Sequence, residues 1–200
     1  MGKEIGKIVR GESHILYWVQ VQNEIESGGD ISPDDSAYGS FVFIEKSRKT
    51  QQGIMKRMIV GIISDTMLVD RDALRNGPRL SQNMDDMKLM YPDFIDERIK
   101  VVKILIIGQI VDGESVHHFP RISPNLGDSV ITMSRDEIKD FHYIHGKFQI
   151  GYYSAVVETS IYLMRQVLGQ LKPVFQRQKP VFQLLINNLE YLLKMKGGGF

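Results

Sequence analysis

Histidine is the residue type in this chain best suited to hold a metal. Two short segments contain four of the five histidines: His117, His118, His142 and His145, with Glu137 and Asp140 close to the second pair. Imidazoles combined with a carboxylate can bind zinc or iron. His142 and His145 lack the i, i+4 spacing that places two imidazoles on one helical face. We therefore predict no metal site and interpret this segment as a surface helix end followed by a loop; His142 and His145 are weak candidates for metal ligands.

Five basic residues form a stretch around a predicted turn at Gly53, within and beside a polar break predicted from Ser47 to Gly53. They are Lys46, Arg48, Lys49, Lys56 and Arg57. Lysine and arginine contact DNA phosphates through electrostatics that do not read the base sequence. We treat these residues as candidate DNA contacts, and a solvated hairpin tip is the simpler alternative.

No catalytic residue is predicted. Neither G-x-S-x-G nor G-x-G-x-x-G occurs, and no nucleophile, histidine and acid stand in a recognisable hydrolase context.

Tyr17 and Trp18 lie in the middle of a predicted strand. We expect them in the core or at a subunit interface rather than as a platform for stacked bases.

Charge and composition exclude several classes of protein. The 25 basic and 24 acidic residues leave a formal charge of +1, so no overall field attracts the chain to nucleic acid or anionic lipid. Cysteine is absent, which excludes disulfides and thiolate metal sites. The apolar run from Ile104 to Ile107 is far shorter than the roughly 20 residues of a membrane helix. We expect a cytoplasmic protein that does not bind membranes.

Glycine-punctuated segments rich in β-branched and aromatic residues predict six short strands. They are a hairpin over Ile5 to Val21 that turns at Gly11-Glu12-Ser13, then Phe41 to Ile44, Met58 to Ile63, Ile99 to Val111 and Val130 to Met133. Gly61, within the fourth strand, predicts a bulge or a barrel bend. This pattern favours a small closed six-stranded β-barrel, because closure removes unpaired sheet edges. A sandwich is the alternative.

Helical patterns appear in three places. Residues 70–97 predict an insertion with a short helix. Ser134 and Glu137 match a capping box at a helix start. Helical spacing of apolar residues covers Ser160 to Leu171 and Val181 to Met195. The chain is thus predicted to be mainly β, and α+β overall, with a barrel over 1–133, a connector over 134–155 and a helical tail over 156–200.

Several segments also follow one another in a set order. They are Ile5-Gly6-Lys7-Ile8-Val9, Val60-Gly61-Ile62-Ile63, Ile106-Ile107-Gly108-Gln109-Ile110, the stretch from Pro120 to Val130 that contains Pro124-Asn125-Leu126-Gly127-Asp128, and Gly146-Lys147-Phe148-Gln149-Ile150-Gly151. Their order and spacing resemble the N-terminal barrel of HerA-type DNA-translocating ATPases, a barrel related to the one that opens the subunits of rotary ATP synthases. The resemblance implies a homo-oligomer, hexameric in that family, with DNA and a nuclease as partners. ATP and magnesium are the cofactors of that family's full-length motor.

The tail departs from this family's pattern. A phosphate-binding loop needs glycines that free backbone amides, a lysine for the phosphate charge and a hydroxyl for magnesium. In the corresponding region only Gly169 remains of the glycines, while Lys172 and Lys179 each precede a proline. We therefore predict no nucleotide-binding residues and no cofactor in this chain, with a degenerate region around these three residues.

Two functions are consistent with the sequence. The first is an assembly barrel of a HerA-type hexameric translocase that docks a partner or DNA and lacks a complete ATPase site. The alternative is a free-standing barrel that binds oligonucleotide or protein. Without a motor, the apolar stripe from Leu184 to Leu193 must find a partner helix or the chain's own barrel.

Overall fold

The computed structural model describes residues 2–22, 31–50, 53–70 and 98–197. The helix predicted within the insertion of residues 70–97 lies outside the described residues. All other predicted strands and helices can be compared directly with the structure.

Six antiparallel strands close into a β-barrel, which confirms the predicted fold. The barrel strands are β1 (Glu4–Gly11), β2 (Leu16–Val21), β3 (Phe41–Thr50), β4 (Gly53–Asp70), β5 (Arg98–Val111) and β7 (Ser129–Thr132), and a short seventh strand, β6 (Glu114–Val116), follows β5. Around the barrel the order is β1, β2, β5, β4, β3 and β7, and β7 pairs back with β1. β6 extends the sheet beside β5 without entering the barrel.

Apolar side chains fill the barrel interior. Along β2, for example, Tyr17, Val19 and Val21 are buried while Trp18 and Gln20 between them are half-buried, as expected when alternate residues face opposite sides. The interior cluster consists of Ile5, Ile8, Tyr17, Val19, Val21, Val42, Ile44, Ile59, Ile63, Val102, Ile104, Ile106 and Val130. The barrel is therefore a packed scaffold rather than a container for a ligand.

The predicted irregularity at Gly61 is confirmed. The pairing register between β4 and β5 shifts between Val60 and Gly61. A Cβ atom added to Gly61 would lie 3.1 Å from the carbonyl oxygen of Leu105, closer than an ordinary contact. Glycine thus lets the two strands approach closely where the barrel wall bends.

Four helices follow the barrel strands. They are α1 (Arg135–His142), α2 (Tyr153–Thr159), α3 (Ile161–Val174) and α4 (Lys179–Gly197), with the small hairpin β8 (Tyr143–Ile144) and β9 (Lys147–Phe148) after α1, and 3-10 turns at Pro33–Ser36 and Gln176–Gln178. The predicted capping box at α1 is confirmed, because Ser134 Oγ accepts from the Glu137 amide and the Glu137 carboxylate accepts from the Ser134 amide. Ser160 caps α3 in the same way through the Leu163 amide.

The helices cover the outer face of β3, β4 and β5. On the barrel side this second cluster contains Phe41, Phe43, Val60, Ile62, Leu105, Ile107 and Ile110, and on the helix side it contains Phe141, Val156, Leu163, Met164, Val167, Leu168, Leu171, Phe182 and Leu189. The predicted tail thus packs on its own barrel. The outer face of the barrel and the helices share this one hydrophobic cluster, which is separate from the cluster in the barrel interior.

The polar break predicted from Ser47 to Gly53 is wrong in its extent. β3 continues to Thr50 and β4 begins at Gly53, with ten consecutive residue pairs from Phe41 opposite Ile62 to Thr50 opposite Gly53. Polar residues are compatible with strands here because the end of this hairpin projects beyond the barrel as a two-stranded ribbon. The basic residues therefore lie on paired strands rather than in a loop.

Candidate docking site

The segment around Gly169, Lys172 and Lys179, which the sequence analysis interprets as a degenerate nucleotide-binding region, forms helices. α3 runs without interruption from Ile161 through Gly169 to Val174, and Lys179 begins α4. Amides inside a helix donate to carbonyl groups of the same helix, so they cannot surround a phosphate. Gly169 lies within α3 and has no atom within 4 Å of an added Cβ, which means that it does not line a tight loop.

The five candidate DNA contacts do not form one positive surface. Lys46 lies opposite Arg57 in the pairing of β3 with β4, and Lys56 is opposite Ser47. Neighbouring residues of a strand point to opposite faces, so Lys46 and Arg57 share one face and Lys56 lies on the other. Lys46 also forms an ion pair with Asp128, which offsets its charge. For Arg48 and Lys49 the structure gives the backbone position on β3.

Lys56 instead borders an acidic groove between the β5–β6 turn and α1. The groove has a volume of about 660 Å³, and we define it by Lys56, Met58, Ile110, Asp112, Gly113, Glu137, Asp140 and Tyr143. Its lining residues include three acidic side chains and one lysine beside the apolar Met58 and Ile110. The Asp112 carboxylate accepts from the Lys56 backbone amide at 3.1 Å and fixes the turn beside the ribbon. This charge balance favours a basic ligand over a phosphate.

His142 is fully buried at the end of α1 and forms hydrogen bonds through both ring nitrogens. Nδ1 lies 2.6 Å from the Ile138 carbonyl oxygen, and Nε2 lies 2.6 Å from the Tyr152 hydroxyl oxygen. Because a carbonyl oxygen can only accept, Nδ1 carries the proton and Nε2 accepts from Tyr152. A neutral imidazole thus links α1 to the start of α2.

His117, which follows β6, joins the same cluster. Its Nδ1 accepts from the Gly151 amide at 3.0 Å, so Nε2 donates to the Phe141 carbonyl oxygen at 2.9 Å. The His117 ring centroid lies 5.7 Å from that of His142 and 5.3 Å from that of Tyr152. We call these three residues the histidine–tyrosine cluster. Both imidazole lone pairs accept hydrogen bonds within the protein, so neither is available to a metal or a substrate.

Burial keeps this cluster neutral. It lowers the pKa of His142 to about 3 and also lowers the pKa of His117. Burial raises the pKa of the Tyr152 hydroxyl well above its usual value. Each shift disfavours the charged form. The cluster therefore stabilises the junction of three chain segments rather than transferring protons.

The structure does not bring the two metal candidates together. His145 lies on the exposed turn between β8 and β9 with a φ of 50°, and Gly146 follows with a φ of 73°. His142 is buried behind that hairpin. Over residues 2–22, 31–50, 53–70 and 98–197, no group of three or more histidine, cysteine, aspartate or glutamate side chains is placed to hold a metal ion.

Tyr17 and Trp18 occupy different sides of the barrel wall. Tyr17 is buried in the interior, as predicted for a core residue. Trp18 lies outside, where its indole N–H donates to the Glu12 carboxylate at 3.1 Å and the Lys103 ammonium lies 4.5 Å from the ring centroid. The cation against its face occupies the surface on which a base would stack.

α4 has an apolar face that the sequence analysis did not separate from its buried one. Leu189 is buried in the cluster that the helices share with the outer face of the barrel, whereas Val181, Leu184, Tyr191 and Met195 are 44%, 69%, 59% and 64% exposed. With the exposed Asn188 they form what we call the α4 stripe: Val181, Leu184, Asn188, Tyr191 and Met195. In the sequence, the stripe residues follow one another at alternating steps of three and four positions. The tertiary structure separates this pattern from that of the buried residues, because it shows which side chains of α4 are buried.

Together, these features define a class: a closed six-stranded β-barrel covered on one side by helices. The chain belongs to the family of a domain of unknown function, DUF8166, whose model matches residues 2–188. That match includes every barrel strand and the first three helices. No curated protein matches the chain. Among the described residues, no helix has the length and apolar character needed to cross a bilayer.

Proposed function

We propose that this protein is a cytoplasmic, non-catalytic assembly and docking module, related to the N-terminal barrel of HerA-type translocases. In this proposal copies of the barrel associate with one another and present a surface to a partner protein. ATP hydrolysis belongs to motor domains of related proteins and not to residues 161–197 of this chain.

One observation carries the proposal. α3 occupies the segment where a phosphate-binding loop is expected, and it buries Leu163, Val167 and Leu171 in the core shared with the barrel. Opening such a loop would remove these side chains from the core, at a cost of several kcal/mol. The tail is therefore better suited to stabilise the barrel than to bind a nucleotide.

The packed barrel supports a role in binding macromolecules. Its interior holds apolar side chains, so binding must use the outer surface. The acidic groove is a concave part of that surface, and Asp112, Glu137 and Asp140 would attract a basic segment of a partner. A nuclease or another protein of the translocase system with such a segment fits this chemistry.

The test is the mass of the full chain in solution by light scattering, with and without ATP and magnesium. We expect an assembly larger than the 22.9 kDa monomer, with a mass that nucleotide does not change. A mass near six monomers supports a ring. An ATP-dependent mass, or binding of a fluorescent ATP analogue, would contradict the non-catalytic assignment. A monomer at all concentrations would contradict self-assembly.

Oligonucleotide binding is the second candidate function. The ribbon of β3 and β4 favours it, because the ribbon places Arg57 beside Lys46 on the face that Ile44 and Ile59 occupy within the barrel. Fluorescence anisotropy of a labelled single strand should then show binding that weakens steeply between 50 and 200 mM salt. Arg57→Glu should reduce it, and Arg121→Glu on the exposed connector serves as the matched control. Equal loss in both variants, or no binding, would reject this function.

A further inference from the structure

Ser123 and His14 form a hydrogen-bonded pair outside the docking site. The Ser123 Oγ atom lies 2.9 Å from Nδ1 of His14, and Nε2 of His14 lies 2.6 Å from the Pro120 carbonyl oxygen. A carbonyl oxygen can only accept, so in the neutral imidazole Nε2 carries the proton and Nδ1 accepts from the Ser123 hydroxyl. An activated serine has this arrangement: a base within hydrogen-bond reach of the hydroxyl, and a third group that orients the base.

The two partners are held in place by different parts of the barrel, and 109 positions separate them in the sequence. His14 lies in the turn between β1 and β2, where its carbonyl oxygen accepts from the hydroxyl of the buried Tyr17 at 3.1 Å. Ser123 lies in the connector before β7, between Pro120 and Pro124, whose rings fix the backbone angle φ. The backbone behind both side chains is therefore fixed, which orients the hydroxyl and the base before a substrate arrives.

The pair is open to a substrate. His14 is exposed and Ser123 is half-buried. The Ser123 amide has no hydrogen-bond partner among the described residues, so it is free to donate to the oxygen of a bound carbonyl group. Ile122 and Leu126 are 43% and 71% exposed and add apolar surface to the same connector. These features suit a carboxylic ester with an apolar acyl chain.

We propose that Ser123 is an acyl-acceptor site whose hydroxyl is activated by His14. Oγ of Ser123 attacks the carbonyl carbon of a carboxylic ester while its proton passes to Nδ1 of His14. The bond between the carbonyl carbon and the leaving oxygen then breaks, and that oxygen takes the proton from His14 and departs as an alcohol. The acyl group stays on Ser123, so the reaction modifies the docking module once and is not a turnover. It is independent of the self-assembly proposed above.

The test uses 4-nitrophenyl butyrate on the full chain, with acid-quenched samples analysed by intact mass spectrometry and peptide mapping. We expect one butyryl group per chain, located on Ser123 and absent from Ser123→Ala. His14→Gln should lower the rate of butyrylation by about 100-fold, which is within the usual contribution of a general base. Ser154→Ala and His145→Gln change an exposed serine and an exposed histidine elsewhere and should leave the rate unchanged. No adduct, an adduct on another residue, or an equal rate in His14→Gln would overturn the proposal.

A second measurement separates activation of Ser123 from a purely structural contact. Ser123→Cys places a single thiol beside the imidazole, because the chain has no cysteine of its own. Iodoacetamide should alkylate it about tenfold faster than Leu126→Cys on the same connector, since a neighbouring imidazole raises the thiolate fraction. Adding His14→Gln should abolish the difference, and circular dichroism checks that each variant is folded. Equal rates in the two cysteine variants would show that His14 does not activate this position and would overturn the proposal.

Discussion

The hydroxyl oxygen of Tyr152 lies 2.6 Å from Nε2 of His142, and this buried hydrogen bond connects the end of α1 to the start of α2. Phe41 on β3 contacts both rings edge-on, with centroid distances of 5.5 Å to His142 and 6.4 Å to Tyr152. The end of α1 is therefore joined to the start of α2 by a polar contact that aromatic side chains surround. Removal of this hydrogen bond should change the stability of the protein measurably.

Tyr152→Phe should lower the free energy of unfolding by about 1–3 kcal/mol, because it leaves Nε2 of His142 buried without a donor. Urea denaturation followed by circular dichroism measures the change. Tyr162→Phe is the matched control, since Tyr162 is 66% exposed and should show little effect. Equal stability of the two variants would mean that the hydrogen bond contributes nothing.

Stability should also depend on pH through His142. The folded pKa of about 3 lies below the ordinary value of 6.5, so below pH 6.5 the unfolded chain binds a proton that the folded chain does not. The contribution is fully present above pH 6.5 and is lost as the pH falls towards 3. Through His142 alone, the free energy of unfolding should be about 2 kcal/mol lower at pH 5 than at pH 7. His117, whose pKa is also lowered, acts in the same direction.

The pH dependence is measured from urea midpoints at pH 7, 6 and 5. His142→Gln should flatten the profile, while His145→Gln at the exposed turn should leave it unchanged. A profile that stays equally steep in the His142 variant would assign the effect to other groups.

Gly108→Ala should destabilise the protein by about 1–3 kcal/mol through overpacking. The added Cβ would lie 2.5 Å from the Val116 carbonyl oxygen and 2.9 Å from Cζ of Phe141, where β5, β6 and α1 meet. Gly169→Ala is the paired test, because Gly169 is in the interior of α3 with open space around it. It should stabilise the protein by about 0.5–1 kcal/mol. Destabilisation by Gly169→Ala would contradict the helical assignment of this segment.

Leu189→Ala tests whether α4 is part of the same core as the barrel. Leu189 is fully buried, so the substitution should cost about 2–5 kcal/mol and leave a single unfolding transition. Leu184→Ala on the solvent side of the same helix should change stability by less than about 0.5 kcal/mol. A separate early transition for the helices in thermal unfolding would show that barrel and tail are independent.

The sequence determined the local elements and the fold class. Alternating or continuous apolar residues predicted the six barrel strands, helical spacing predicted α3 and α4, and Ser134 with Glu137 predicted the start of α1. These signals are local, because backbone period and capping depend on residues a few positions apart. Gly61 is another such local signal, since a glycine inside a strand indicates a bulge or a close approach of another backbone.

Only the tertiary structure decided which residues meet. Lys46 and Asp128 form an ion pair although 82 positions separate them, and His117 and His142 share a cluster although their sequence context suggested metal ligands or a loop. It also decided which leucines of α4 are buried: Leu189 is buried and Leu184 is exposed, yet both are equally apolar. Barrel closure fixes these contacts between distant segments, and no local period encodes them.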